Sequence, residues 1–206
     1  MNQLLMRHNA LSVCEQSIGF AVEKIINCYE NGGKVLICGN GGSSADGEHI
    51  VGELMKGFLK SRPIPEEKRA EMLKNYSIDG EVLDKLQMGL PAISLPSIVG
   101  LNSAFCNDVS PELIYAQGVF ALAKKEDVLI AISTSGNSKN VVQAVKVAKS
   151  LGITVISLTG KTGGLLKDLS TVCICVPETE TYKVQELHLP VYHYICAEVE
   201  KHFFKA

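Results

Sequence analysis

The sequence predicts an α/β protein, a parallel sheet covered by helices on both faces. Three observations point there. Strand-like and helical stretches alternate along the 206 residues. The strand candidates are almost continuously apolar, as strands buried on both faces are. Two of them run directly into turns rich in glycine and serine, and parallel sheets bind ligands at the carboxyl ends of their strands.

Taken in order, residues 3–30 read as one long helix, with Leu4, Leu5, Leu11, Ile18, Phe20, Ala21, Ile25 and Ile26 among its apolar positions. Asn31-Gly32-Gly33 closes it as a glycine-rich cap. So apolar a helix ahead of the first strand needs a partner surface, either its own domain or an oligomer interface. Val35-Leu36-Ile37-Cys38 is a buried strand entering Gly39-Asn40-Gly41-Gly42-Ser43-Ser44. Glycines allow φ > 0 and a close backbone approach, a serine can cap the next helix, and that helix's free N–H groups attract anions. An ordinary strand-to-helix turn has the same composition, so this stretch alone leaves both readings open.

Helical spacing continues over 44–60 and ends at Arg62-Pro63-Ile64-Pro65. Residues 66–89 are polar, with a break at Ile78-Asp79-Gly80, and have room for one or two short helices; 64–90 reads as a surface insertion. A second strand is expected over 91–95 and a helix over roughly 111–124, containing Tyr115, Val119 and Phe120. Asp127–Ser133 is the clearest buried strand, followed by the turn Thr134-Ser135-Gly136-Asn137-Ser138. A helix over 139–150, a strand over 153–158 with turns at Gly160 and Gly163-Gly164, a strand over 172–176 and a long helix over 183–204 complete the chain.

One domain, 1–206, is the expectation for this length, and 46% hydrophobic with 20% charged residues is an ordinary globular composition. A net charge of −2 offers no nucleic-acid footprint. No apolar run is long enough for a membrane span and the N-terminus lacks a signal-peptide layout, so a cytoplasmic protein is expected. Seven cysteines, without Cys-x-x-Cys and several of them in apolar runs, read as reduced core residues.

Three groupings have chemical content. Four hydroxyls within Ser133–Ser138 can surround a phosphate with neutral donors, whereas a P-loop Gly-x-x-x-x-Gly-Lys is absent. His49 and Glu53, four apart, lie on one helix face and can share a metal or divide acid–base work; a solvated surface pair is the plain alternative. On the last helix, Gln185 and His193 are eight apart and can face one site, with Pro190 between them placed to kink the helix. Glu186 and His188 lie beside them, and surface histidines are the plain reading of His188 and His202.

Taken together, Cys38–Ser43, Ile132–Ser138 and Leu158-Thr159-Gly160 resemble the sugar isomerase (SIS) domain. Within it, His49-x-x-x-Glu53, Asn107-Asp108 and Gln185-Glu186-x-His188 with His193 are similar to the phosphoheptose (sedoheptulose 7-phosphate) isomerase family. The resemblance implies a five-stranded parallel sheet of flavodoxin or Rossmann type and a homotetramer with active sites at subunit boundaries. It implies zinc on residues matching His49, Glu53, Gln185 and His193, with Glu53 and His193 as the acid–base pair. It places the sugar phosphate on Asn40, Gly41, Gly42, Ser43, Asp108, Ser133, Thr134, Ser135, Ser138 and Gln185. The expected reaction is ketose–aldose isomerisation through an enediol, sedoheptulose 7-phosphate to glycero-manno-heptose 7-phosphate first. Two departures bear on the sugar: Tyr182 stands where the family usually has Asp, and Lys56-Gly57 stand where an Arg is common. The competing expectation is a non-catalytic SIS-domain protein that binds a sugar phosphate or regulates replication initiation. Such relatives tend to lack the equivalents of Glu53 and His193, and this chain has both. A lyase on the same domain would need a longer second half.

Overall fold

The computed structural model describes residues 1–75 and 77–204. The five expected strands are β1 (Val35–Gly39), β2 (Ala92–Ser94), β3 (Val128–Ile132), β4 (Thr154–Thr159) and β5 (Val172–Cys175). They form one parallel sheet in the order β2-β1-β3-β4-β5, a doubly wound order of the flavodoxin kind. Every residue of β1 and β3 is buried, which is why both read as unbroken apolar runs. β5 alternates buried and half-buried residues because it lies at the sheet edge.

The helices are α1 (Asn2–Arg7), α2 (Glu15–Glu30), α3 (Gly42–Met55), α4 (Glu66–Asn75) and α5 (Gly80–Lys85). There follow α6 (Val99–Asp108), α7 (Ile114–Leu122), α8 (Lys139–Ser150), α9 (Leu166–Leu169) and α10 (Thr181–Phe203). One sheet face, through Val35, Ile37, Ile130 and Ile156, packs on apolar residues of α2, α3 and α10. The other, through Leu36, Cys38, Leu129 and Val155, packs on α7 and α8. The layers are therefore helix, sheet, helix.

Several boundaries differ from the expectations. The helix expected over 3–30 is broken: His8 leaves helical geometry at φ −136° and ψ 65°, and a 3-10 turn spans Asn9–Cys14. That tighter turn buries both Leu11 and Cys14, spaced at its period of three, and Cys14 Sγ donates to the Cys175 carbonyl at 3.1 Å. The helix after β1 stops at Met55, short of residue 60, with Lys56 extended at φ −134° and ψ 174°. Here the guanidinium of Arg62 takes the Leu54 and Glu53 carbonyls at 2.6 and 3.0 Å, ending the helix from the side. α6 went unread because none of its residues is buried, so it has no apolar stripe. α7 starts at Ile114, after a 3-10 turn over Pro111–Leu113. The 64–90 stretch holds α4 and α5, as expected; it includes Tyr76, which lies outside the described residues. α10 continues as one helix through Pro190, which costs it the backbone bond that position would donate.

Of the seven cysteines, all free, Cys14, Cys28, Cys38 and Cys196 are buried; Cys106 is exposed and Cys173 and Cys175 are half-buried, so the core reading fails for these three. Among the described residues no helix is long and apolar enough to cross a membrane.

Candidate active site

β1 and β3 are neighbours in the sheet while their helices depart to opposite faces, so a crevice opens beyond their carboxyl ends. Both glycine- and serine-rich turns lie there. After β1, Gly41 has φ 55° and stands at the helix start, so glycine fills the cap position expected for serine, and no side chain caps α3. The first turn of this helix closes on the loop itself, Ser43 N donating to the Asn40 carbonyl and Ser44 N to the Gly41 carbonyl at 3.0 Å each. Asn40 pairs its amide with that of Asn140 at 2.9 Å, and Tyr115 donates to the Gly39 carbonyl at 2.8 Å. The turn is thereby tied to α7 and α8.

After β3, Ser133 and Ser138 share a hydroxyl hydrogen bond of 2.9 Å, and Asn137 N donates to Ser135 Oγ at 3.1 Å. The loop is also locked onto the turn after β4. Gly160 N donates to the Thr134 carbonyl at 2.9 Å, and a Cβ on Gly136, whose φ is 67°, would lie 2.0 Å from the Gly163 carbonyl oxygen. Ser133, Ser135 and Ser138 thus make their hydroxyl contacts within one loop, which also contains Thr134. Asp108 is not drawn in: it ends α6, is exposed, and its carboxylate accepts from neighbouring Asn107 at 2.8 Å.

α3 and α10 bring the remaining predicted residues together. His49 Nε2 lies 3.2 Å from Glu53 Oε1 and 3.4 Å from His193 Nε2, so the imidazole stands between the other two groups. Glu53 is nearly buried, and its second oxygen faces Lys56 Nζ at 3.5 Å. Burial, and then the neighbouring His49, push the His193 pKa below its ordinary value, which favours a neutral imidazole. Gln185 meets the first turn: a Cβ on Gly42 would come within 2.4 Å of its Nε2. The bare glycine is what admits this amide to the helix start.

Four groups around this cluster were not singled out from the sequence. Tyr192 OH lies 3.0 Å from His49 Nδ1 and donates to Asp46 Oδ1 at 3.3 Å. Asp46 is three before His49 and Tyr192 adjoins His193, so helical spacing could have flagged the first. Buried Arg62 and Glu200 pair at 2.9 Å, while Phe58 N and Leu59 N donate to the same carboxylate at 2.8 Å each. Burial alone would raise the Glu200 pKa, but these donors together hold it below the usual range. A cleft of about 410 Å³ opens beside His193, with Arg7, His8, Phe58 and Glu186 in its walls; of the predicted site residues it touches only His193.

Two family models described as SIS domain match this chain, over residues 100–195 and 5–82. The phosphoheptose isomerase of Helicobacter pylori strain P12 is 38% identical over 194 residues, 94% of this chain and 88% of that one. The chain belongs to the SIS-domain phosphoheptose isomerase family. Another phosphoheptose isomerase, from Roseiflexus sp. strain RS-1, is 35% identical across 89% of this chain and 80% of its own. Among solved structures, the phosphoheptose isomerase of Francisella tularensis aligns with a TM-score of 0.78 at 30% identity, covering 95% of this chain and 91% of its own. That of Neisseria gonorrhoeae, GmhA, aligns with a TM-score of 0.74 at 31% identity, covering 94% and 91%.

The donor set of this phosphoheptose isomerase relative suits zinc. Two atoms bound to one tetrahedral zinc ion sit about 3.3 Å apart. The His49–Glu53 and His49–His193 spacings of 3.2 and 3.4 Å match that edge. Among the described residues no three His, Cys, Asp or Glu side chains form a complete metal cluster, and the remaining member of the expected set, Gln185, is a carboxamide. The two family departures also have places: Tyr182 is exposed on the first turn of α10, and Lys56 supplies a cation beside Glu53.

Proposed function

We infer that the chain is a phosphosugar isomerase that interconverts a ketose phosphate and an aldose phosphate, with sedoheptulose 7-phosphate and glycero-manno-heptose 7-phosphate as the pair. One observation supports this above the others. Glu53, His49 and His193 meet between α3 and α10, and the same two helices bring Gln185 against the turn after β1. The names of the relatives agree with it.

Isomerisation moves a proton between adjacent carbons and another between their oxygens, so it needs two acid–base groups. In this reading Glu53 removes the carbon-bound proton and returns it one carbon along, while His193 serves the oxygens. Ser133, Thr134, Ser135 and Ser138 with Ser43 hold the phosphate through hydroxyl and backbone N–H groups. Asn40 contacts the sugar. His49, Glu53, Gln185 and His193 hold zinc, which when bound polarises the reacting oxygens and stabilises developing negative charge. The two Glu53 oxygens face different partners, His49 and Lys56, which separates its ligand role from its role as base. The assembly is a homotetramer with sites at subunit boundaries.

Zinc-loaded protein given sedoheptulose 7-phosphate should form an aldose phosphate, seen by NMR of the anomeric protons. Glu53→Gln and His193→Asn should each lower kcat by at least ~100-fold, the range of a lost acid–base group. No turnover of any ketose phosphate would falsify the reading, and full activity in either variant would remove that residue's role.

A further inference from the structure

We propose that Asp46 and Tyr192 are positioning residues that fix the tautomer of His49, holding its proton on Nδ1 and leaving Nε2 as a bare electron pair aimed at the cation seat. This rests on the zinc reading given above for that seat. The argument is one of counting hydrogens. A phenol has a single O–H, and the Tyr192 oxygen has two polar neighbours, Asp46 Oδ1 at 3.3 Å and His49 Nδ1 at 3.0 Å. An ionised carboxylate can only accept. If Tyr192 donated to His49 instead, Asp46 would face a phenol oxygen with no hydrogen between them. Its other oxygen, Oδ2, is buried with no partner among the described residues, so nothing would offset that loss. Tyr192 therefore donates to Asp46, and with a cation on Nε2 it accepts from His49 Nδ1–H.

Tyr192 is well placed to impose this. It is 2% exposed, and burial keeps its hydroxyl protonated far above neutral pH. Its ring packs edge-on against His49, with centroids 5.5 Å apart. The consequence falls on the far side of the ring. His49 Nε2, with no hydrogen, faces Glu53 Oε1 at 3.2 Å, an acceptor facing an acceptor. Without a cation the Glu53 carboxylate competes for the imidazole proton, and a cation on Nε2 settles it on Nδ1. Histidine ligands of metals are commonly held this way by an outer partner on the second nitrogen. In this chain the partner is a phenol backed by a carboxylate, and all three groups come from the two helices that build the site.

The test reads the tautomer directly. Long-range 1H–15N spectra of zinc-loaded, 15N-histidine-labelled protein at pH 8 should show His49 with a protonated, pyrrole-type Nδ1 and a metal-bound Nε2. Asp46→Asn, whose amide can donate to the phenol and turn its O–H onto His49, and Tyr192→Phe, which removes the acceptor, each break that outer contact. In both variants zinc affinity, measured by competition with a chromophoric chelator, should fall about 10- to 100-fold, the usual effect of removing an outer partner. A wild-type His49 carrying its proton on Nε2 overturns the proposal even if the variants fail to fold. So does zinc affinity unchanged in a folded variant. Absence of zinc binding by the wild-type protein overturns the metal reading and the proposal with it, whereas zinc bound with unchanged affinity in the variants overturns the proposal alone.

Discussion

Gly42 shows how closely the site is drawn at the scale of single residues. Its missing Cβ is the space occupied by Gln185 Nε2, at 2.4 Å, and the obstacle is the free end of a flexible side chain. Gly42→Ala should therefore swing the amide aside and leave the backbone alone. Thermal unfolding should stay within a few degrees of wild type, while zinc affinity and turnover drop at least ~10-fold. Gly136→Ala is the opposite case, because its Cβ would meet a carbonyl oxygen at 2.0 Å and its φ is 67°. Backbone cannot swing aside, and a loss of more than about 2 kcal/mol in urea unfolding is expected. Glu53 and His49 were legible in the sequence because their four-residue spacing speaks for itself. Asp46 and Tyr192 were not, since their value lies in a contact between residues 146 positions apart. Asp108 was assigned by resemblance alone, and the structure leaves it exposed at the end of α6.

At the scale of elements, two buried polar devices fix α10, the first to α3 and the second to β4. The first is Arg62, 1% exposed, which binds the last carbonyls of α3 and the Glu200 carboxylate of α10 at once. Arg62→Ala leaves a buried carboxylate unpaired and should cost 3–5 kcal/mol, roughly what breaking a buried ion pair costs, measured by denaturant unfolding. The sequence disguised this residue as part of a Pro-rich helix stop. The second device is His188, fully buried, whose Nε2–H donates to the Thr159 carbonyl at 3.3 Å. Burial depresses its pKa to about 4. The unfolded chain takes up a proton near pH 6.5 that the native state refuses until about pH 4, so stability falls as pH drops through that window. The loss should reach roughly 3 kcal/mol at the lower end, and His188→Gln should flatten that part of the stability–pH curve. A surface role for His188, the plain expectation from sequence, is thereby replaced by a structural one.

At the scale of the whole molecule, the sheet was legible almost strand for strand, because buried parallel strands announce themselves as unbroken apolar runs. The N-terminal segment was less so, since the break after Arg7 follows from packing and leaves no mark in periodicity. That segment leaves Met6 85%, Val13 73% and Phe20 47% exposed, an apolar surface suited to the proposed tetramer. Light scattering should report four chains, and Val13→Glu should shift the protein to smaller species with unchanged far-UV circular dichroism. The pairing of His49 with His193 spans 144 positions and has a consequence in time as well as space. A polypeptide emerging from the ribosome displays the first half of the proposed centre before the second exists. Only when α10 is synthesised and docked do the two histidines meet, so a nascent chain stopped before it holds half of that centre alone.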